Sequence, residues 1–188
     1  PEGITELIDT TNELMPEGVK AAENDIYTFK LNRKRALSQS IVGVSTTAGV
    51  VVGAVPVPFA DAVILSPIEV AEINALAQVY GIDKNEESKQ FFNSIVEVGT
   101  VSTAAKAVIS GLKAIPGVNL GAGIINAIIA GSFVAAIGEG TIYAFEQVYL
   151  GKKTVEDIDW VKKVMESRLS TEFIKKVTSI AKQITETT

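Results

Sequence analysis

The chain has 188 residues, 47 % of them hydrophobic and 6 % aromatic, with no Cys, no His and a formal net charge of −5. Without Cys and His there can be no disulfide, no cysteine-ligated zinc, no Ser-His-Asp triad and no Cys-His nucleophile, and the expectation is a protein that is not an enzyme. The excess of 22 acidic over 17 basic residues argues against a nucleic-acid partner, because neutralising phosphates calls for a basic excess. The short run Arg33-Lys34-Arg35 reads as a solvated stretch of helix.

Taken in order, the chain predicts helices and little else. Ile4, Leu7, Ile8, Thr11 and Leu14 fall at the spacing of one helical face, and the helix should run to Met15 and stop at Pro16. No basic n-region or apolar h-region marks a signal peptide. A chain that opens inside an amphipathic helix reads as a piece of something longer. The second helix begins near Glu17, with Val19, Ala22, Ile26 and Phe29 on its apolar side, and nothing clearly breaks it before Pro56. It is either one very long helix or two, divided near Asn32.

Pro56 and Pro58 set a corner, and Asp61 caps a third helix from Ala62 to Tyr80, with Gly81 as its C-terminal glycine. Pro67 starts a new turn after Ser66 or kinks that helix. A polar linker, GIDKNEES, leads to a helix over Glu86–Ala114, with Phe91, Phe92, Ile95, Val98 and Val101 inside. A second corner at Pro116-Gly117 precedes a helix over Leu120–Leu150, closed by Gly151-Lys152-Lys153. From Thr154 the chain is charged and amphipathic. Trp160, Val164 and Leu169 define one face, and Phe173, Val177, Ile180 and Ile184 define another, on a last helix starting at Ser170 or Thr171. The similarity of VSTTAGVVVGAVPVP and VSTAAKAVISGLKAIPG suggests two helical hairpins, although shared composition explains it equally well.

The expected fold is therefore all-α: a bundle of two Gly/Ala-rich helical hairpins with Pro-containing corners, plus C-terminal amphipathic helices. Its expected parts are residues 1–16 (the last helix of an upstream domain or a linker), 17–153 and 154–188. Residues 36–60 and 114–138 carry no charge, and about 20 apolar residues suffice to span a bilayer. Each run holds a Pro-bearing corner and many small residues, so a buried soluble core is preferred over reversible membrane insertion. Small residues recur every four positions at Ser45, Gly49 and Gly53, at Gly117 and Gly121, and at Ala127, Gly131 and Ala135, a spacing that lets helices approach closely in water or in lipid.

Chemical motifs are scarce. No GxxxxGK[ST] loop occurs. The segment Gly117–Gly123 could present backbone amides to an anion, but it lacks the lysine and the preceding strand, and helix packing explains it better. Glu69 and Glu72 share a helix face, yet a helical di-metal site needs the His of its Glu-x-x-His motifs. They read as a solvated or inter-helix acidic face. Tyr80, Tyr143 and Tyr149 are expected to anchor helix ends with a wet hydroxyl.

GITELIDTTNELMPEG resembles the last helix of a small-GTPase-type G domain running into its extension. The stretch that follows resembles a family of uncharacterised domains found after the G domain in bacterial Era-like GTPases and in some bacterial inner-membrane proteins. Its carrying features are the Ala/Gly-rich helix, the corner Pro56–Asp61, the helix ending in Tyr80-Gly81, the later IPG corner and AFEQVYLGKK, over roughly residues 3 to 153. One departure lies at Glu69 and Val70, where relatives often show Gln and a Met-rich face.

The resemblance implies a non-catalytic accessory or effector domain of a GTP-binding protein, responding to an upstream GTPase domain through partner or membrane association. The alternative is a stand-alone membrane-inserting or membrane-anchoring helical protein. It implies no cofactor in this chain, with GTP and Mg expected only in an upstream G domain. A cytoplasmic location, peripheral at the inner face of the membrane if lipid is the partner, fits this reading, and a homodimer remains open. The structural corner residues are Pro56, Pro58, Asp61, Pro116 and Gly117. Packing, partner or membrane contact is assigned to Gly49, Gly53, Gly121 and Gly131.

Overall fold

The computed structural model describes residues 3–14, 18–53, 66–101 and 122–187. Among these there are six α-helices and no strand: α1 Ile4–Leu14, α2 Gly18–Gly53, α3 Ser66–Tyr80, α4 Lys89–Val101, α5 Ala122–Tyr149 and α6 Ile158–Thr187. The all-α expectation holds. Both corners, with Pro56, Pro58, Asp61, Pro116 and Gly117, lie outside the described residues, as does Gly121. The chain forms two compact units, Pro1–Leu37 and Ser38–Thr188. The end of α2, Ser38–Gly53, therefore belongs to the larger unit.

α5 is the core of that unit. It carries no Asp, Lys or Arg, and Ile128, Val134, Ala136, Ile137, Ala144 and Phe145 have no exposed surface. α6 lays Val161, Met165, Leu169, Phe173 and Val177 along it, so residues 158–177 dock on the bundle. α3 contributes Ile73, Leu76, Ala77 and Tyr80, and α4 contributes Phe91, Phe92 and Ile95. Tyr80, Phe91 and Phe92 surround the Phe145 ring at centroid distances of 6.4, 6.2 and 5.7 Å. The stretch Gly123–Tyr149 is long and apolar enough to cross a bilayer, and 83 % of its most apolar window is buried inside the bundle.

Helix ends follow local chemistry. Gly81 and Gly151 take φ of 71° and 65°, the left-handed conformation that closes a helix without a Cβ penalty. The amides of Ile82 and Lys152 then donate to the carbonyls of Ala77 and Gln147, each at 3.0 Å. α4 is entered through a reciprocal pair in which the Ser88 amide donates to Asn85 Oδ1 at 2.9 Å and the Asn85 amide donates to Ser88 Oγ at 3.0 Å.

Two expectations are corrected. The helix break expected at Ser170 or Thr171 does not occur, because α6 is one helix. Val161, Met165, Leu169, Phe173 and Val177 are spaced by four and form a single buried stripe, and the Thr171 hydroxyl returns to the Ser167 carbonyl at 3.2 Å within the helix rather than capping a new one. Of the two alternatives open for the second helix, α2 is the single long one, undivided at Asn32. The hydroxyl of Tyr80 is also buried rather than wet; the ring sits edge-on to Phe145 and Tyr149.

Candidate functional site

Within the larger unit, α2, α3 and α5 meet at a buried acidic crossing. α3 presents its core face at Glu69, Glu72, Ile73, Leu76 and Tyr80, the i, i+3, i+4, i+7, i+11 spacing of one helical stripe. The first two places on that stripe are carboxylates. Glu69 is 2 % exposed and Glu72 is 1 % exposed. Their place on the apolar stripe was the available sequence signal. It overrides the ordinary expectation that Glu stays at the surface. The acidic face is thus between helices and not solvated.

The crossing is close because α5 supplies a glycine. A Cβ at Gly138 would lie 2.5 Å from Glu72 Oε1 and 2.6 Å from Val42 Cγ2, so this backbone occupies space that no other residue could share unchanged. About two turns of α2 further on, a Cβ at Gly49 would lie 3.0 Å from Val134 Cγ2 and 3.3 Å from Gly131 Cα. Of the small residues singled out in the sequence, Gly49 and Gly131 thus meet each other inside the bundle. Gly53 is the last residue of α2. Gly138→Ala should lower stability by about 1–3 kcal/mol, because overpacking outweighs the ~1 kcal/mol that Ala gains over Gly in a helix. Thermal unfolding checks this, and a rise in Tm would mean the crossing is looser than the structure has it.

Electrostatics make the site unusual. Neither carboxylate oxygen of Glu72 has a hydrogen-bond partner among the described residues. Burial, then the charges of Glu69 and Glu139, push its pKa up to about 9. Burial alone raises Glu69 to about 7. A carboxyl taken out of water resists ionisation, and a neighbouring carboxylate adds to that resistance. Glu72 is therefore protonated at neutral pH. Glu139, by contrast, accepts from Gln39 Nε2 and from Lys176 Nζ, both at 3.0 Å. It links α2 and α6 to α5 at the rim of the crossing. The buried hydroxyls of Ser38, Ser132 and Thr141 also lack partners among the described residues. Each such group costs roughly 1–3 kcal/mol, so the core is well filled but poorly satisfied along the faces of α2 and α5.

A second concavity, about 290 Å³, lies between α3 and α4 and is lined by Val70, Ile73, Asn74, Lys84, Phe92, Asn93, Val96 and Glu97. Lys84 spans its mouth, donating to Asn74 Oδ1 at 3.2 Å with its ammonium 5.8 Å from the Phe92 ring centre. Among the described residues no group of three or more Asp, Glu, His or Cys is arranged to hold a metal ion. What the acidic crossing can do is hold or release a proton as its packing changes.

The model of a family described as "Domain of unknown function (DUF697)" matches residues 24–183. No curated protein matches the chain, and no solved structure matches it.

Proposed function

The chain belongs to this DUF697 family, and from that premise we propose that it is a non-catalytic accessory or effector domain of a GTP-binding protein. In this reading it changes packing, and thereby its association with a partner or membrane, as an upstream GTPase domain changes nucleotide state. The GTPase context comes from the resemblance of residues 3–18 to the end of a G domain running into its extension. The observation that carries the mechanism is Glu72, sealed without a partner where α2, α3 and α5 cross.

Such a residue makes the bundle ready to open. While the crossing is shut, Glu72 keeps its proton. If α2 shifts so that water reaches the carboxyl, its pKa falls toward that of an ordinary Glu and it ionises at neutral pH. A charge there opposes reclosure. α2 enters the crossing directly, since Val42 and Gly49 on its buried face touch α5. GTP and Mg would be held by the upstream domain.

The test is hydrogen exchange on the natural gene product with the region encoded upstream of Pro1 included. In the proposed role, exchange in α3 and α5 differs between the GDP-bound and GTP-analogue-bound forms. Identical exchange in both states, or no G domain upstream, would sink the GTPase reading.

A second reading is favoured by one observation, the apolar stretch Gly123–Tyr149 held inside a sheath of amphipathic helices. Opening of the crossing would free α5 to enter a bilayer. Vesicle flotation that carries α5 into protection from protease supports it; α5 cleaved equally with and without lipid counts against it.

A further inference from the structure

The basic run Arg33-Lys34-Arg35 has neighbours that a solvated helix does not explain. Within the unit Pro1–Leu37, Ile26, Phe29 and Leu37 on α2 are 56, 67 and 51 % exposed, and Tyr27 is exposed as well. By helical spacing Ile26, Phe29, Lys30, Arg33 and Leu37 share one face, at i, i+3, i+4, i+7 and i+11. Lys30 and Arg33 are exposed on that face. The charge here is also opposite to that of the chain. From Ile26 to Ala60 there are four basic residues, Lys30, Arg33, Lys34 and Arg35, and no acidic one, in a protein of net charge −5.

The arrangement selects among partners. A protein interface gathers its apolar side chains at a centre and leaves charges at the rim. Here Lys30 and Arg33 sit mid-face, between Ile26 and Phe29 on one side and Leu37 on the other. That order suits a lipid interface, where Ile, Phe and Leu enter the acyl boundary while Lys and Arg extend their stems to the headgroup phosphates. A second copy of this face would set Lys30 and Arg33 against like charges.

We propose that the Ile26–Leu37 face of α2 lies on an anionic lipid surface, its apolar side chains inserted at the interface and Lys30 and Arg33 on lipid phosphates. This rests on the association half of the proposed function and names its partner. It needs neither the GTPase nor insertion of α5.

The experiment is co-sedimentation of the full chain with phosphatidylcholine vesicles, with and without one third phosphatidylglycerol. Binding is expected to the anionic vesicles and to weaken with salt. Each basic residue near such a surface contributes roughly five-fold, so Lys30→Glu/Arg33→Glu should cost about 30-fold or more in affinity. Since these side chains are exposed, the far-UV spectrum should not change. An independent reporter, Phe29→Trp, should shift its emission to the blue on anionic vesicles only. Equal binding to both vesicle types, double-variant binding equal to that of the parent chain, or unchanged Trp emission each overturns the proposal. Self-association without lipid that Phe29→Ser abolishes would assign the face to a second copy and overturn it too. None of these failures touches the role of Glu72, which is read from exchange and pH dependence.

Discussion

Replacing Glu72 with Gln should stabilise the bundle by ~3 kcal/mol at pH 7 and by almost nothing near pH 4. Burial, then the charges of Glu69 and Glu139, push the native carboxyl up to about 9 from the 4.5 of a free Glu. Between those values the folded chain binds a proton that the unfolded chain does not, so stability is greatest below the unfolded pKa and falls as pH rises toward the folded one. At neutral pH, folding must protonate a group that is ionised when free. Gln has the shape of the protonated acid and carries no such cost. Its amide is no better partnered in this pocket, so the gain at pH 7 comes from the removed titration. Urea unfolding at several pH values checks the prediction. A variant less stable than the parent at pH 7, or a gain independent of pH, would place a partner on Glu72 that the structure does not contain.

The second large effect is at Phe145. Its ring is fully buried on α5 and touches Tyr80 of α3 and both Phe91 and Phe92 of α4. Phe145→Ala removes the one side chain common to those contacts and leaves a cavity enclosed by three helices. A loss of roughly 3–5 kcal/mol is expected, a large fraction of the 5–15 kcal/mol typical of a whole domain. The denaturant midpoint should fall with little change in slope. A loss below about 1 kcal/mol would mean that α3 and α4 are not held to α5 through this cluster.

How much of this was legible depends on the physics behind each feature. The helices were, because uncharged stretches bounded by Gly and polar turns carry a period that survives without tertiary knowledge; α5 and the glycine ends at Gly81 and Gly151 follow directly. The continuity of α6 was not. Ser170-Thr171 offers a good cap, and only the partner helix shows that Leu169 and Phe173 lie on one stripe. Glu69 and Glu72 were visible as a pair, but their burial depends on which side of α3 meets α5. Gly138 carries no local signal, because its importance arises from Glu72 and Val42 across the crossing, residues distant in sequence. In the sequence the basic run shows only its charge, and the exposure of Ile26, Phe29 and Leu37 changes its meaning.

In the proposed mechanism the Glu72 proton sets how readily the bundle opens. The most direct measurement is amide hydrogen exchange of α3 and α5 between about pH 5 and pH 9, corrected for intrinsic exchange, in the parent chain and in Glu72→Gln. The expected result is opening that becomes more frequent as pH rises in the parent chain and a much flatter profile in the variant. Protection that does not change with pH in the parent, or that falls equally in both proteins, would contradict it.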